Sequence, residues 1–300
     1  MTETVQTASD IPKNGWVERL LPRALQGYAR LARLDRPIGT WLLLFPCWWS
    51  IALVEPSAWL FALFGLGAIL MRGAGCTYND IVDRDFDAAV ARTADRPIPS
   101  GQVTTKQAVA FMALQLALSF LILLQLAPTA IWLGVSSLVL VFTYPLMKRV
   151  TWWPQFFLGL AFNWGALMGY AAAADALSPA ALLLYTGGIF WTLGYDTIYA
   201  HQDKEDDALI GVKSSALRLG GATRAALYAF YAAAVALFAG AGVAAELDLV
   251  YFGFLAAGAV QLFWQAARGN FENPADCLAK FKSNRLFGWL LLAGIVLGAP

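Results

Sequence analysis

The sequence predicts an all-α membrane protein: nine transmembrane helices in a bundle, with the N-terminus cytoplasmic and the C-terminus on the opposite side. Three observations lead there. Hydrophobic residues make up 59% of the 300-residue chain and charged residues only 14%, against about 25% charged in soluble domains, and the mean hydropathy is +0.58. Nine runs are apolar enough to form spans of about 20 residues: roughly 38–55, 58–78, 104–126, 129–147, 154–174, 178–200, 224–245, 248–267 and 286–299. Finally, all 21 Lys and Arg fall on one side of a nine-span ladder, the pattern that marks the cytoplasmic face.

Residues 1–15 read as a flexible polar tail without the apolar core of a cleaved signal peptide. Residues 16–37 read as a cytoplasmic interfacial segment, in which WVERLLPRALQGYARLARL mixes Trp, Leu and Tyr with four Arg and Pro22 is a kink or a helix start. A plain tail leading into the first span is the alternative. Residues 38–300 form one transmembrane domain. Lys13, Arg19, Arg23, Arg30, Arg33 and Arg36 precede the first span. Arg72 lies near the end of the second, and Arg84, Arg92, Arg96 and Lys106 follow it. Lys148 and Arg149 follow the fourth, Lys204, Lys213, Arg218 and Arg224 the sixth, and Arg268, Lys280, Lys282 and Arg285 the eighth. The connections after the first, third, fifth and seventh spans carry no Lys or Arg. The first, fifth and sixth runs contain Pro or Gly, which membrane helices tolerate when neighbours satisfy the freed backbone groups.

A net charge of +1 gives no electrostatic footprint for nucleic acid. Cys47, Cys76 and Cys277 are odd in number and form no CxxC pair, so neither a disulfide framework nor a zinc site follows.

Half of the 20 acids lie in two short stretches. Asp80, Asp83, Asp85, Asp87 and Asp95 follow the second span; Asp196, Asp203, Glu205, Asp206 and Asp207 surround the end of the sixth. At about 100° per helical residue, Asn79, Asp80, Asp83 and Asp87 share an arc of about 100° while Asp85 points away. Asp196, Asp203 and Asp207 share about 40°, with Glu205 opposite. Stacking like charges in this way is destabilising unless a cation neutralises them. Clustered carboxylates suit a hard divalent cation, and Mg²⁺ is typically held by one or two carboxylates together with phosphate oxygens. Both stretches run into basic residues, Arg92 and Arg96 in RTADRPIPSG and Lys213 in GVKSSALRLG. Together they describe a site for a diphosphate and its metal ions.

Tyr144 and Lys148 stand at i, i+4 where the fourth span ends in YPLMKR. Arg36, in DRPIG, and Arg72, seven residues before Asn79, are charges at or inside a span, where they face the protein interior or a water-filled cavity. Asn163 reads as a helix–helix hydrogen bond. Tyr195 reads as packing, and His201, the only His, as a bystander.

With these residues assembled, the chain resembles the UbiA-type intramembrane aromatic prenyltransferases, in their 4-hydroxybenzoate polyprenyltransferase branch. NDIVDRDFD at 79–87 matches the family's NDxxDxxxD, DKEDD at 203–207 its DxxxD, and YPLMK at 144–148 its YxxxK. DRPIGTWLLLFP, MRGAGCTYND, RTADRPIPSG and YDTIYAHQDKEDD resemble that branch as well. The resemblance implies a nine-helix bundle around a central cavity. It implies Mg²⁺ ions bridging the diphosphate of a polyprenyl donor, and alkylation of 4-hydroxybenzoate ortho to its phenol, a step of ubiquinone biosynthesis. Residue by residue, it puts Asn79, Asp80, Asp83, Asp87, Asp203 and Asp207 at the metal. Arg92, Arg96, Lys148 and Lys213 meet the diphosphate. Arg36 or Arg72 meets the benzoate carboxylate, or forms a structural ion pair with a motif Asp. Asp196 positions the acceptor or its proton, and Tyr144 helps stabilise the cation. The chemistry centres on Asp83, Asp196, Asp203, Lys148 and Tyr144.

The expected partners are polyprenyl diphosphate, 4-hydroxybenzoate and the lipid bilayer, with no obligate protein partner evident. Three rival readings remain: another acceptor (dihydroxynaphthoate, homogentisate or haem), a divalent-cation transporter, or a CDP-alcohol phosphotransferase. Transport sites lie near the bilayer midplane, whereas both acidic clusters belong to one face. The DG-x2-AR pattern of the phosphotransferases is absent from the sequence. Glu3, Asp10 and Glu18, in place of an Arg- and Ser-rich leader, point to a bacterial inner membrane.

Overall fold

A chain this apolar has no water to satisfy its backbone across a bilayer, so each span must bond internally, as a helix does. The structure, a computed structural model, describes residue 11, residues 15–89 and residues 93–299. Among these residues every regular element is helical. In chain order they are α1 (Trp16–Leu20), α2 (Arg23–Leu31), α3 (Ile38–Val54), α4 (Ala58–Val82), α5 (Arg84–Ala89), α6 (Thr105–Leu123), α7 (Pro128–Thr143), α8 (Met147–Val150), α9 (Pro154–Ala174), α10 (Pro179–Ala200), α11 (Lys204–Ile210), α12 (Ser215–Leu219), α13 (Thr223–Ala244), α14 (Leu249–Arg268) and α15 (Pro274–Leu297). Short 3₁₀ turns occupy Tyr144–Leu146, His201–Asp203 and Gly220–Ala222.

The starts of the long helices are written locally. Pro128, Pro154, Pro179 and Pro274 open α7, α9, α10 and α15, where the missing N–H costs nothing and the fixed φ is already helical. The Ser178 side chain accepts from the Ala181 amide, Asp248 from Val250, and Asn273 from Ala275 and Asp276. Each satisfies amides that the helix itself cannot.

Six stretches are long and apolar enough to cross a membrane: Ala58–Val82, Thr105–Leu123, Pro128–Val150, Pro154–Ala174, Ser215–Ala244 and Leu249–Arg268. Ile38–Val54 is apolar but has only 17 residues. The α10 helix is interrupted by Thr, Gly, Tyr and Asp, and α15 carries Asp276, Lys280, Lys282 and Arg285 in its first half. The last run was expected to begin near residue 286, but its helix starts twelve residues earlier, at Pro274. The Asn273 cap sets that start, and the charged turns conceal it from a hydropathy reading. Pro22 proves to be a helix start, the N-cap of α2. The polar tail lies outside the described residues apart from Ile11 and Gly15.

The chain divides into two compact units. The first comprises residues up to Gly39 and Gly67–Ile122. Its core joins Leu31, Ile98, Val103 and Ala108, with Tyr28, Ile81 and Phe111 packed on them. The rings of Tyr28 and Phe111 meet edge-on at 5.2 Å. On α6 only Ala108 and Gln115 are buried, while Leu114, Leu118, Phe120 and Leu121 are exposed. Such a face is a liability in water and ordinary in lipid.

The second unit holds Thr40–Leu66 and everything from Leu123 onward. Its central element is α10, which packs on α9, α13 and α15, while α14 packs on α13 and α15 and α7 packs on α9. Trp49, Trp191, Phe238 and Phe287 form an aromatic core around it. Asn163 on α9 donates to Thr192 on α10 at 2.8 Å, the expected helix–helix bond. Gly188 faces the Asn163 side chain so closely that a Cβ there would collide with it. A buried polar relay also links four helices. Trp191 Nε1 donates to Asn284 Oδ1 at 2.9 Å, the Asn284 amide donates to Gln265 Oε1 at 3.3 Å, and Tyr231 donates to that same oxygen at 2.8 Å.

Candidate active site

The first acidic stretch begins inside α4 and continues through a bend at Asp83 into α5. Helical bonding crosses the bend, because the Asp83 amide donates to Asn79 O at 2.9 Å and the Asp87 amide to Asp83 O at 2.8 Å. The expected facing therefore survives. Asp80, Asp83 and Asp87 are buried and Asn79 is half-buried, whereas the Asp85 side chain is 84% exposed beside Arg84.

Two arginines hold this buried face. Arg33 Nη2 donates to Asp80 Oδ1 at 2.6 Å, and Arg96 Nη1 reaches the same oxygen at 3.4 Å and Asp87 Oδ2 at 2.9 Å. Burial pushes the Asp87 carboxyl above its usual range; Arg96 pulls it down, and Asp80 and Asp83 add to the rise. Burial is the largest influence on Arg33 and lowers its pKa, but the Asp80 carboxylate and then Cys76 act the other way, and the net shift is upward. The other Asp80 oxygen, Oδ2, is buried without a hydrogen-bond partner among the described residues.

Arg36 pairs with Asp35 at 3.3 Å. Arg72 lies against Gly39, where a Cβ would sit 2.6 Å from both its Nε and Nη2. The missing Cβ at Gly39 permits that close approach, which places the Arg72 guanidinium at the start of α3, the helix that Arg36 precedes. Arg92 lies outside the described residues.

In the second unit α10 carries Asp196 and gives way at His201–Asp203 to a 3₁₀ turn before α11. A 3₁₀ turn advances about 120° per residue instead of about 100°, so the continuous wheel drawn through Asp196, Asp203 and Asp207 is corrected by roughly 60°. Asp203, Asp206 and Asp207 are half-buried and Glu205 is exposed. Asp203 stands at the N-cap of α11, yet its side chain does not cap the helix. Tyr144 likewise enters a 3₁₀ turn, and Lys148 follows on the one-turn α8. The i, i+4 helical face drawn through Tyr144 and Lys148 is therefore interrupted, because Pro145 removes a backbone donor there. Lys213 is brought to Lys148: its amide donates to Lys148 O at 2.9 Å and its Nζ to Val150 O at 3.1 Å.

His201, expected to be a bystander, is buried, with Nε2 3.0 Å from Thr223 Oγ1. That hydroxyl also donates to Gly220 O at 2.8 Å, so in this arrangement the His201 ring donates from Nε2. Burial, and then Lys204, lower the His201 pKa. The ring lines a cavity of about 360 Å³ together with Thr223, Arg224, Asn270, Phe271 and Glu272. Tyr195 is buried against Trp191 and Phe281, as expected of a packing residue.

Among the described residues no group of three or more His, Cys, Asp or Glu is already gathered into a metal cage. Mg²⁺ needs only one or two protein carboxylates when phosphate oxygens complete its shell, and the bare, buried Asp80 Oδ2 suits it. Arg33 is the residue that sequence reasoning missed. Its partner lies 47 residues away, and no motif contains it.

The family model described as the UbiA prenyltransferase family matches residues 43–292. The 4-hydroxybenzoate polyprenyltransferase, mitochondrial, of Arabidopsis thaliana is 52% identical over 294 residues, covering 96% of this chain and 72% of that protein. The enzyme of the same name from Rattus norvegicus is 52% identical over 283 residues, covering 92% and 76%. Among solved structures, a UbiA homolog from Aeropyrum pernix K1 without ligand superposes with a TM-score of 0.74 at 27% identity, covering 86% of this chain and 97% of that one. A UbiA homolog from Archaeoglobus fulgidus, solved with GPP and Mg²⁺, has a TM-score of 0.68 at 18% identity, covering 90% and 99%. Relatives at about 50% identity are named as mitochondrial proteins. The expectation of a bacterial inner membrane, drawn from the acids of a short N-terminal stretch, is corrected accordingly. The chain belongs to the UbiA prenyltransferase family.

Proposed function

We propose that the protein transfers a polyprenyl chain from polyprenyl diphosphate to the ring carbon ortho to the phenol of 4-hydroxybenzoate, a step of ubiquinone biosynthesis, in a mitochondrial membrane. The single observation that carries the reading is the first acidic motif. Three aspartates on one face are buried, and one carboxylate oxygen has no hydrogen-bond partner among the described residues. Curated relatives at 52% identity carry the same activity in their names.

In this reading the chain crosses the membrane nine times, residues 38–300 form one prenyltransferase domain, and the N-terminus lies on the Lys- and Arg-rich face. Asn79, Asp80, Asp83, Asp87, Asp203 and Asp207 would hold Mg²⁺, which when bound supplies positive charge to the departing diphosphate. Lys148, Lys213, Arg92 and Arg96 add fixed positive charge to the same oxygens. Arg96 would do so while still tethered to Asp80 and Asp87. Arg72 or Arg36 orients the acceptor through its carboxylate. Asp196 positions the phenol or accepts the ring proton. Tyr144 offers a ring face to the allylic cation. The apolar spans exclude water, which would quench that cation.

The test uses the full chain in lipid with geranyl diphosphate, radiolabelled 4-hydroxybenzoate and Mg²⁺. A lipophilic product that disappears with EDTA, and in Asp80→Asn, is expected. Product from dihydroxynaphthoate or homogentisate instead would reassign the acceptor, and no product from any acceptor would refute the reading.

A further inference from the structure

Arg33, which makes a short ion pair with Asp80 of the first acidic motif, itself belongs to none of the motifs. We infer that Arg33 is a positioning residue, which fixes Asp80 through one carboxylate oxygen so that the other is presented to a divalent cation. This inference rests on the metal-diphosphate reading of the first acidic motif.

The backbone at Arg33 carries the first part of the case. The α2 helix ends in a Schellman turn, in which the Leu34 amide donates to Ala29 O at 3.0 Å and the Arg33 amide to Arg30 O at 3.0 Å. The residue at the centre of such a turn takes a left-handed conformation, and glycine is the usual occupant. Arg33 sits there with φ 55°. An arginine is strained in that position, so the turn itself gives no reason for the side chain.

The side chain supplies the reason. Arg33 Nη1 donates to Arg30 O at 2.9 Å, which ties the guanidinium to the end of α2, and Nη2 donates to Asp80 Oδ1 at 2.6 Å. Arg96 approaches that same oxygen. An arginine and a carboxylate left to themselves favour a two-armed pairing that uses both oxygens. Here both guanidinium groups converge on Oδ1, and Oδ2 stays buried and bare. A buried acceptor without a donor is costly, and a cation brought in with the diphosphate removes that cost. The left-handed turn aims the guanidinium, and the guanidinium holds the carboxylate on edge.

The experiment uses the full chain in lipid nanodiscs, with Arg33→Gly, Arg33→Gln and Arg33→Lys. Mn²⁺ binding is followed by electron paramagnetic resonance with and without the non-reactive donor analogue geranyl S-thiolodiphosphate. The Mg²⁺ midpoint of turnover and the KM for 4-hydroxybenzoate are measured alongside. Arg33→Gly suits the turn and removes the whole side chain, whereas Arg33→Gln keeps most of the stem and removes the guanidinium. Arg33→Gly is expected to weaken Mn²⁺ binding and raise the Mg²⁺ midpoint at least tenfold, leaving the KM for 4-hydroxybenzoate within twofold. Arg33→Lys is expected to recover part of the loss. Wild-type Mn²⁺ affinity in Arg33→Gly overturns the inference, as does an equal rise in the KM for 4-hydroxybenzoate. Should Arg33→Gly not fold, unchanged Mn²⁺ affinity in Arg33→Gln overturns it just as well. A wild-type protein that shows Arg33-dependent Mn²⁺ binding but forms no prenylated product supports the inference and refutes the assigned reaction.

Discussion

Replacing Gly39 with alanine puts a methyl group where the Arg72 guanidinium lies. The new Cβ would sit 2.6 Å from Nε and Nη2 and 2.8 Å from Cζ, whereas ordinary contact begins at 3.4 Å. The guanidinium must therefore retreat by about 1 Å, and a misplacement of that size in a positioning group costs on the order of 100-fold. The fold should tolerate the change. The yielding atoms are the end of a flexible side chain, and alanine is favoured over glycine in a helix by about 1 kcal/mol. If Arg72 reads the acceptor carboxylate, kcat/KM for 4-hydroxybenzoate should fall between 10- and 100-fold in Gly39→Ala, with KM for geranyl diphosphate unchanged. The assay is steady-state turnover with 4-hydroxybenzoate and with 4-hydroxybenzamide, which has no carboxylate to recognise. The amide should show little difference between wild type and variant. Equal losses for both acceptors would mean that the methyl group disturbs the site at large, and no loss for either would remove Arg72 from acceptor recognition in favour of Arg36.

Other outcomes follow from the same geometry. Asp83→Ala and Asp203→Ala should abolish turnover while the protein still folds, whereas Asp85→Ala, at a side chain that is 84% exposed, should leave the rate within a factor of about two; a large loss at Asp85 would refute the facing of the motif. Asn284→Ala leaves Trp191 Nε1 without its acceptor and takes a donor from Gln265. It should destabilise the fold by about 2–4 kcal/mol, read as a lower melting temperature in detergent. Asp175, between α9 and α10, accepts from the Thr129 amide, and this bond holds its carboxyl below the usual range. A depressed carboxylate stabilises the fold above its unfolded pKa of about 3.9, and that stability is lost as pH falls through the folded value. The melting advantage of wild type over Asp175→Asn should accordingly be present at neutral pH and vanish in acid.

Much of this was legible because it depends on neighbours in sequence. The starts of α7, α9, α10 and α15 follow from prolines and capping side chains a few residues away. The burial of Asp80, Asp83 and Asp87 opposite Asp85 follows from helical spacing, which tolerates the small bend at Asp83. Spacing failed where the helix changed type. The 3₁₀ turn at His201–Asp203 shifts the second motif's wheel, and no residue there announces it. The first half of α15 was missed because Lys280, Lys282 and Arg285 look like loop to a hydropathy scale. Lys280 is nevertheless buried against Trp264 and paired with Asp276. Arg33 was illegible for a different reason. Its meaning lies in a contact across 47 residues and in a backbone angle that its identity disfavours.

The capped helix starts bear on how the protein is assembled. Ser178, Asp248 and Asn273 each satisfy amides two or three residues downstream, and Pro179 and Pro274 remove one donor more from α10 and α15. None of these groups waits for another helix to arrive. As the chain folds, α10, α14 and α15 can each have part of their leading ends satisfied by their own neighbours in sequence, one helix at a time. Side-to-side packing, including the relay through Trp191, Asn284, Gln265 and Tyr231, then sorts finished rods rather than half-formed ones. Insertion and tertiary assembly become separable stages, so a lost cap should lower the yield of inserted protein, whereas a broken relay should lower the stability of protein already inserted.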